Sequence, residues 1–485
     1  MILPMALVVL LGTACNKSEE EVSSGNAASN TTNTGDDSSD LVDNETWSST
    51  INIVWNGTNV TVTGSADGVS VSNSNGYVTV TSTAKHIEYA VSGSGTGQLN
   101  IYSDYKFKLS LKGLSLACSD GPAINNQCKK TCYAVLGGTN TLSDGSSYAS
   151  SSEDRKAAFF SEGQICFSGS GSLTITGNYK HALASDDYIR FCSGTGTIDL
   201  TAKVSDGLHT NDGVIINDGT LTINAVGEGI QCDTSSVVIT GGTITVTSTT
   251  DKGILAYANI DISGGTITAV ATGTSSSGWG SSSGTPEGIE AKGTITISGG
   301  KVFAQAKDDA IIAGGDLTIS GGYVMAYSTG NDGLDANGNC YIQGGLVYAI
   351  GARSPEVAID ANTEQQKKLY VQGGTIVAIG GLESGSSLTQ SCYSASSWSA
   401  NTWYALTVGD NVFAFKTPSS GGTTMVVSGA STPTLKSGVT ASGTAIFNGM
   451  GYYPASVSGG SSVTLSSYSG GNSGPGGGGG RPGGH

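Results

Sequence analysis

Ile239-Thr240-Gly241-Gly242-Thr243-Ile244 and Ile262-Ser263-Gly264-Gly265-Thr266-Ile267 spell one phrase twice: apolar, polar, two glycines, then an alternating strand. The phrase returns at Ile297-Ser298-Gly299-Gly300, Ile319-Ser320-Gly321-Gly322, Ile342-Gln343-Gly344-Gly345 and Val371-Gln372-Gly373-Gly374. Asn217-Asp218-Gly219-Thr220 is a degenerate earlier copy. The second glycines fall at 219, 242, 265, 300, 322, 345 and 374, so the intervals are 23, 23, 35, 22, 23 and 29. A period of 22–23 residues with short alternating strands predicts a parallel β-helix, in which each coil buries its inward residues only by stacking on its neighbours. Glycine at each bend can supply the positive-φ turn that every rung repeats. The two long intervals are loops pushed out of one rung, around Ser275 to Gly284 and Arg353 to Lys368. In solenoids such loops often lie on the binding face.

Upstream the phrase loosens. Ser168-Gly169-Ser170-Gly171-Ser172-Leu173 and Ser193-Gly194-Thr195-Gly196-Thr197-Ile198 are copies 25 residues apart. Between Trp47 and Leu142 strands alternate but the period blurs, as expected of first rungs and a cap. The composition agrees: 12% charged residues, 74 glycines and 9 prolines in 485 residues, rich in strand and turn formers. The solenoid is expected over residues 47–395. Residues 396–468 carry strands without the repeat and read as a C-terminal β cap or appendage, and 469–485 as a Gly-rich disordered tail.

The first residues carry an address. Ile2 to Leu11 is an apolar run, followed by Gly12-Thr13-Ala14-Cys15. It is too short to span a bilayer and ends in small residues, so residues 1–15 read as a secretory signal. The site resembles a lipobox, with Cys15 as the acylated residue, although Gly12 stands where an apolar residue is expected. Asn16-Lys17-Ser18-Glu19-Glu20-Glu21 looks like an export signal to the outer cell surface. Residues 16–46 are polar and small, and are expected to form a disordered tether. The chain is thus expected to be an exported lipoprotein, held in the outer membrane and exposed at the surface. Its eight other cysteines could pair in that compartment, but the spacings suggest no bridge. Cys166 and Cys192 lie 26 apart against a local register of 25, which sets them on opposite faces.

The net charge of −16 and the absence of a basic cluster exclude a nucleic-acid partner, which would need phosphate-neutralising cations. The acids are not scattered. Asp206-Gly207-Leu208, Glu228-Gly229-Ile230, Glu287-Gly288-Ile289, Asp309-Ala310-Ile311 and Asp332-Gly333-Leu334 repeat with the glycine register, and Lys252-Gly253-Ile254 is the exception. Equal register in a solenoid means vertical stacking, so Glu287, Asp309 and Asp332 should form a column. Asp308 precedes it, and Glu290, Asp335 and Asp360 sit three residues beyond its register. Asp186, Asp187, Asp212 and Asp233 form a similar set in the earlier rungs. Carboxylates stacked roughly 5 Å apart repel, and calcium, which takes oxygen ligands, would offset this. A solvated edge in which Asp caps turns is the competing reading.

Alternation assigns the long strands. Ile244, Ile267, Val302, Val324, Val347 and Ile376 point inward, and the outward column reads Thr245, Thr268, Phe303, Met325, Tyr348, Val377. Phe303, Tyr323, Tyr327 and Tyr348 could make a flat aromatic platform for sugar rings. Alternatively the C-terminal segment covers this patch, since large apolar patches usually have a partner. Trp279, at the tip of its Ser/Gly loop, is a second candidate sugar contact.

Asn140-Thr141-Leu142-Ser143-Asp144-Gly145, Lys180-His181-Ala182-Leu183, Asp186-Asp187-Tyr188-Ile189, Asp206-Gly207-Leu208 and the Ile-Ser-Gly-Gly-Thr phrase lie within residues 50 to 395. Together they resemble a family of secreted or surface calcium-binding, right-handed parallel β-helices with a pectate-lyase-like fold, which bind cellulose-like and pectic polysaccharides. The resemblance implies that the acid-Gly-aliphatic carboxylates are calcium ligands, and Lys252 departs from that pattern. The expected function is polysaccharide binding by a calcium-stabilised β-helix. A polysaccharide lyase would need a base near the metal, for which Lys252, Lys292, Lys307 or Arg353 could be proposed. Base catalysis by lysine needs a lowered pKa, and an acidic column does the opposite. A surface adhesin with a non-glycan ligand is the third possibility.

Overall fold

The computed structural model describes residues 37–274 and 285–470. They form a β-solenoid of about eleven turns of about 24 residues, and the only helices among the described residues are three short 3-10 turns. Three parallel ladders run along it. The long-strand face includes Thr197–Ala202, Thr220–Ala225, Thr243–Ser248, Thr266–Ala271, Lys301–Ala306, Tyr323–Ser328, Leu346–Ile350 and Thr375–Ile379. A short-strand face includes His181–Ser185, Leu208–Thr210, Ile230–Cys232, Ile254–Ala256, Ile289–Ala291, Ile311–Ala313 and Leu334–Ala336. A third face includes Ile165–Ser168, Tyr188–Phe191, Gly213–Ile216, Val237–Ile239, Ile260–Ile262, Ile295–Ile297, Leu317–Ile319, Cys340–Ile342 and Leu369–Val371.

The two glycines of the phrase do different work. A Cβ on Gly264 would stand 2.1 Å from the Thr240 carbonyl oxygen of the rung below, so the first glycine permits the stacking distance. Gly265 has φ +81°, so the second turns the chain where other residues are strained. The same pair of constraints holds at Gly299 and Gly300. Beyond the bend, Ile244, Ile267, Val302, Val324, Val347 and Ile376 enter one continuous core, all at most 1% exposed. Each such side chain contributes about 1.5–3 kcal/mol of burial.

Both ends of the solenoid are blunted by antiparallel strands, which hide ladder edges that would otherwise pair with another chain. At the start, Ser49–Gly57 pairs with Asn59–Thr63, and Val69–Ser74 with Tyr77–Ser82 through Asn75-Gly76, both at positive φ. At the end, Met425–Ser428 runs antiparallel to Thr375–Ile379 and Cys392–Ala395. A strand from the segment 396–468 thus lies along the last long strand of the solenoid. The same segment also builds a closed four-stranded barrel from Trp403–Val408, Asn411–Lys416, Thr434–Ile446 and Gly451–Val463.

Two expectations are corrected. The last part of the expected tether, residues 37–46, is ordered against the solenoid. Asp40 is 2% exposed and accepts hydrogen bonds from Arg190 Nε and Tyr188 Oη, both at 2.5 Å. Leu41, Val42 and Trp47 pack on Tyr133, Cys166 and Cys192. One paired aspartate and a few apolar side chains suffice to seat the segment on the third face. Cys166 and Cys192 consequently share a face. Cys166 aligns with Arg190, a step of 24 rather than 25, which restores equal parity. All eight cysteines after Cys15 are buried and free.

Candidate functional site

The acid-Gly-aliphatic phrase occupies the bend just before each short strand. Because Leu208, Ile230, Ile254, Ile289, Ile311 and Leu334 are aligned rung to rung, the residues two before them form one stack: Asp206, Glu228, Lys252, Glu287, Asp309 and Asp332. The outward strand residues form the adjoining column: His209, Gln231, Leu255, Glu290, Ile312 and Asp335. Bridges from Leu334 to Ile359 and from Ile359 to Leu382 extend it to Asp360 and Glu383. The expected carboxylate column of Glu287, Asp309 and Asp332 is thus present.

Three of the stacked carboxylates share a local task. Asp206 Oδ1 accepts the Glu228 backbone N–H at 3.2 Å, Asp309 Oδ1 that of Asp332 at 2.9 Å, and Asp332 Oδ1 that of Val357 at 2.6 Å. The acid therefore satisfies a backbone donor of the next rung at the bend, which would otherwise be buried without an acceptor.

At the C-terminal end the donors are all oxygen. Asp332, Asp335 and Asp360 offer carboxylate oxygens within 4.8 Å of one another. Burial, a hydrogen bond with Glu383 and the charges of Asp332 and Asp335 push Asp360 up to about 10. Burial first, then Asp335, Asp332 and Asp308, push Asp309 well above the carboxylate range. Asp308 Oδ1 accepts from Asn331 Nδ2 at 2.7 Å.

In the middle, Lys252 stands where the stack omits an acid. Its Nζ lies 2.7 Å from Asp251 Oδ1, 3.2 Å from Glu287 Oε2, 3.7 Å from Glu290 Oε2 and 3.1 Å from the Thr285 carbonyl oxygen. Burial alone would lower its pKa, but Glu287, Asp251 and Glu290 outweigh this and hold it up. Burial, opposed by Lys252, pushes Glu287 up to about 7. Lys292 binds the other oxygen of Glu290.

At the N-terminal end two imidazoles join the column. His181 and His209 stack at 4.2 Å, and both Nδ1 atoms reach Asp206 Oδ2, at 3.0 and 2.9 Å. His209 Nε2 lies 3.3 Å from Asp233 Oδ2. Burial would raise Asp206, but hydrogen bonds and charge from both histidines hold it far below its ordinary range. Burial pushes His181 down to about 4. Burial and the neighbouring Asp206 push Glu228 up to about 8. Asp186, Asp187 and Asp212 lie apart, at the far ends of their short strands. Asp186 pairs with Lys156, Asp187 Oδ1 accepts the Tyr188 N–H at 2.8 Å, and Asp212 Oδ1 accepts from Thr234 at 3.0 Å. The expected early set is therefore split between a histidine-bearing cluster and separately hydrogen-bonded turn acids. Reading along the sequence missed His181 and His209, although His209 follows its acid by three residues, as Glu290 and Asp335 do theirs.

The aromatic platform is corrected. Phe303 is 6% exposed and Tyr348 is fully buried, both in a second core with Tyr404, Phe413 and Phe415 of the barrel. Tyr348 Oη donates to the Lys416 carbonyl oxygen at 2.9 Å, Tyr323 meets Tyr453 edge-on, and Tyr327 packs against the same core. The C-terminal segment covers the patch, because outward aromatics that late rungs leave bare are buried by barrel strands rich in the same side chains. Trp279, Cys15 and the signal segment lie outside the described residues. The third face carries a pair that alternation could have revealed: Tyr341 and Tyr370, aligned on neighbouring rungs, stack at 4.9 Å and are partly exposed. Gln343 and Gln372 stand exposed two residues on.

Among solved structures, one described as the polysaccharide lyase-like protein from C. thermocellum, in a gadolinium derivative, is 22% identical. The match covers 51% of this chain and 97% of that one, with a TM-score of 0.40. None of the curated proteins matches significantly. The family described as carbohydrate-binding domain-containing protein matches residues 74–333, more than half of the 485. The chain belongs to that family of carbohydrate-binding domain-containing proteins.

Proposed function

We propose that this chain is a surface polysaccharide-binding protein for cellulose-like or pectic chains, anchored in the outer membrane through acylated Cys15 and stiffened by calcium. The family match over residues 74–333 carries the binding assignment. Calcium would be held by Asp332, Asp335 and Asp360, whose carboxylates converge so that the first two raise the third in the absence of a cation. An all-oxygen donor set suits that ion, and its charge would let the acids ionise. Binding without turnover is supported by Lys252, held charged by three carboxylates where a lyase base must give up its proton. Sugar contact is assigned to Tyr341 and Tyr370, with Gln343 and Gln372 exposed two residues on.

The test is retention of the chain on cellulose and pectin, with calcium and with chelator, while unsaturated and reducing ends are assayed. Calcium-dependent retention without new ends is expected. Tyr341→Ala with Tyr370→Ala should weaken retention about tenfold, at roughly 0.5–1.5 kcal/mol per ring, and Cys15→Ser should abolish labelling by palmitate in cells. Release of ends would replace the assignment with a lyase or hydrolase, and no retention on any glycan would replace it with an adhesin.

A further inference from the structure

The histidine-bearing end of the column has a fault in its hydrogen bonding. The backbone N–H of Asp206 points at His181 Nδ1, 3.3 Å away, so that nitrogen presents a lone pair. His209 Nε2 faces Asp233 Oδ2 at 3.3 Å. An ionised carboxylate only accepts, so a neutral His209 ring can serve Asp206 through Nδ1, at 2.9 Å, or Asp233 through Nε2, and presents a lone pair to the other. Yet both Nδ1 atoms face Asp206 Oδ2 at 3.0 and 2.9 Å. Three possible ligand atoms thus converge among side chains that are 1%, 3% and 7% exposed. The contact of His181 Nδ1 with Asp206 Oδ2, acceptor against acceptor, is relieved by a positive charge between them.

We propose that His181 Nδ1, His209 Nδ1 and Asp206 Oδ2 bind a divalent transition metal of the zinc class, in a site separate from the all-oxygen cluster. Two imidazoles and a carboxylate select zinc and its neighbours, whereas calcium takes oxygen. Asp233 is the partner that metal-bound histidines commonly have on their second nitrogen, fixing the tautomer. Zinc bonds of about 2.0–2.1 Å at tetrahedral angles set ligands about 3.3 Å apart, a few tenths of an ångström wider than the spacing here. The site joins two neighbouring rungs, since His181 and Asp206 occupy the same bend one coil apart.

The test uses the full chain after dialysis against chelator, with Co²⁺ and Zn²⁺ as probes. One equivalent of Co²⁺ should give visible d–d bands without a thiolate charge-transfer band, and Zn²⁺ but not Ca²⁺ should displace it. His209→Ala should abolish the bands, and Asp233→Asn should weaken binding about 10–100-fold, with circular dichroism confirming that each variant is folded. The proposal fails if folded chain gives no bands, if a thiolate band assigns the cobalt to cysteine, or if His209→Ala binds as well as the parent. It fails equally if nitrogen-15 spectra find both rings doubly protonated and unmoved by Zn²⁺, because protons then fill the gap.

Discussion

The polar column of the short-strand face has two ends built on the same register and opposite electrostatics. At the Asp206 end one carboxylate oxygen meets two imidazoles, and Asp206 is held far below its ordinary range. At the Asp309 to Asp360 end carboxylates meet carboxylates, and burial with mutual repulsion pushes them up. Lys252 divides the two, an ammonium of the chain's own ringed by Asp251, Glu287 and Glu290. The difference teaches that stacking dictates only proximity. Whether a stacked acid stabilises or strains the fold depends on what chemistry the next rung supplies.

The largest effect should come from breaking the divider. Lys252→Met leaves Glu287, 5% exposed, without its ammonium, and Glu290, 6% exposed, with Lys292 alone. Removing one partner of a buried ion pair costs about 3–5 kcal/mol, read by urea unfolding at fixed calcium. A loss below about 1 kcal/mol, the level of a surface pair, would show that the divider is unnecessary.

A smaller effect, with a change of sign, sharpens the contrast. In chelator, Asp360→Asn removes one of the repelling carboxylates and should raise the melting temperature; in calcium the same variant should lower it relative to the parent. The same sign in both conditions would separate Asp360 from any metal.

The smallest effect is the pH response of the chelated chain. Asp360, raised to about 10, contributes stability that is full below the ordinary carboxylate pKa and is lost as pH rises through the folded value. Asp206 is lowered, so its contribution is present above the ordinary value and is lost in acid, and His181, lowered to about 4, also weakens the fold as pH falls below the ordinary histidine value. Amide protection in Leu334–Ala336 should therefore fall toward alkaline pH, and that in Leu208–Thr210 toward acid pH. Parallel profiles at the two ends would remove the distinction.

Much of this was legible in the chain. The intervals between second glycines equal the observed steps between long strands, and the inward aliphatics are those that alternation selects. The carboxylate column also followed from register. The histidines escaped because His181 precedes Asp206 by 25 residues and carries no acid-Gly phrase of its own. The seating of Asp40 on Arg190, 150 residues away, has no local signal at all.

The sequence by itself determined the rung, its glycine bends, its core and the stacked acids, because in a solenoid contacts lie one period apart and periodicity is written in the chain. Only the tertiary structure decided which outward residues stay open. Phe303 and Tyr348 look like a binding platform until residues 403–463 fold back over them. Only the structure, too, decided that two imidazole nitrogens meet one oxygen of Asp206. Cover by a distant segment and convergence of side-chain donors depend on where the chain returns in space, which no repeat encodes.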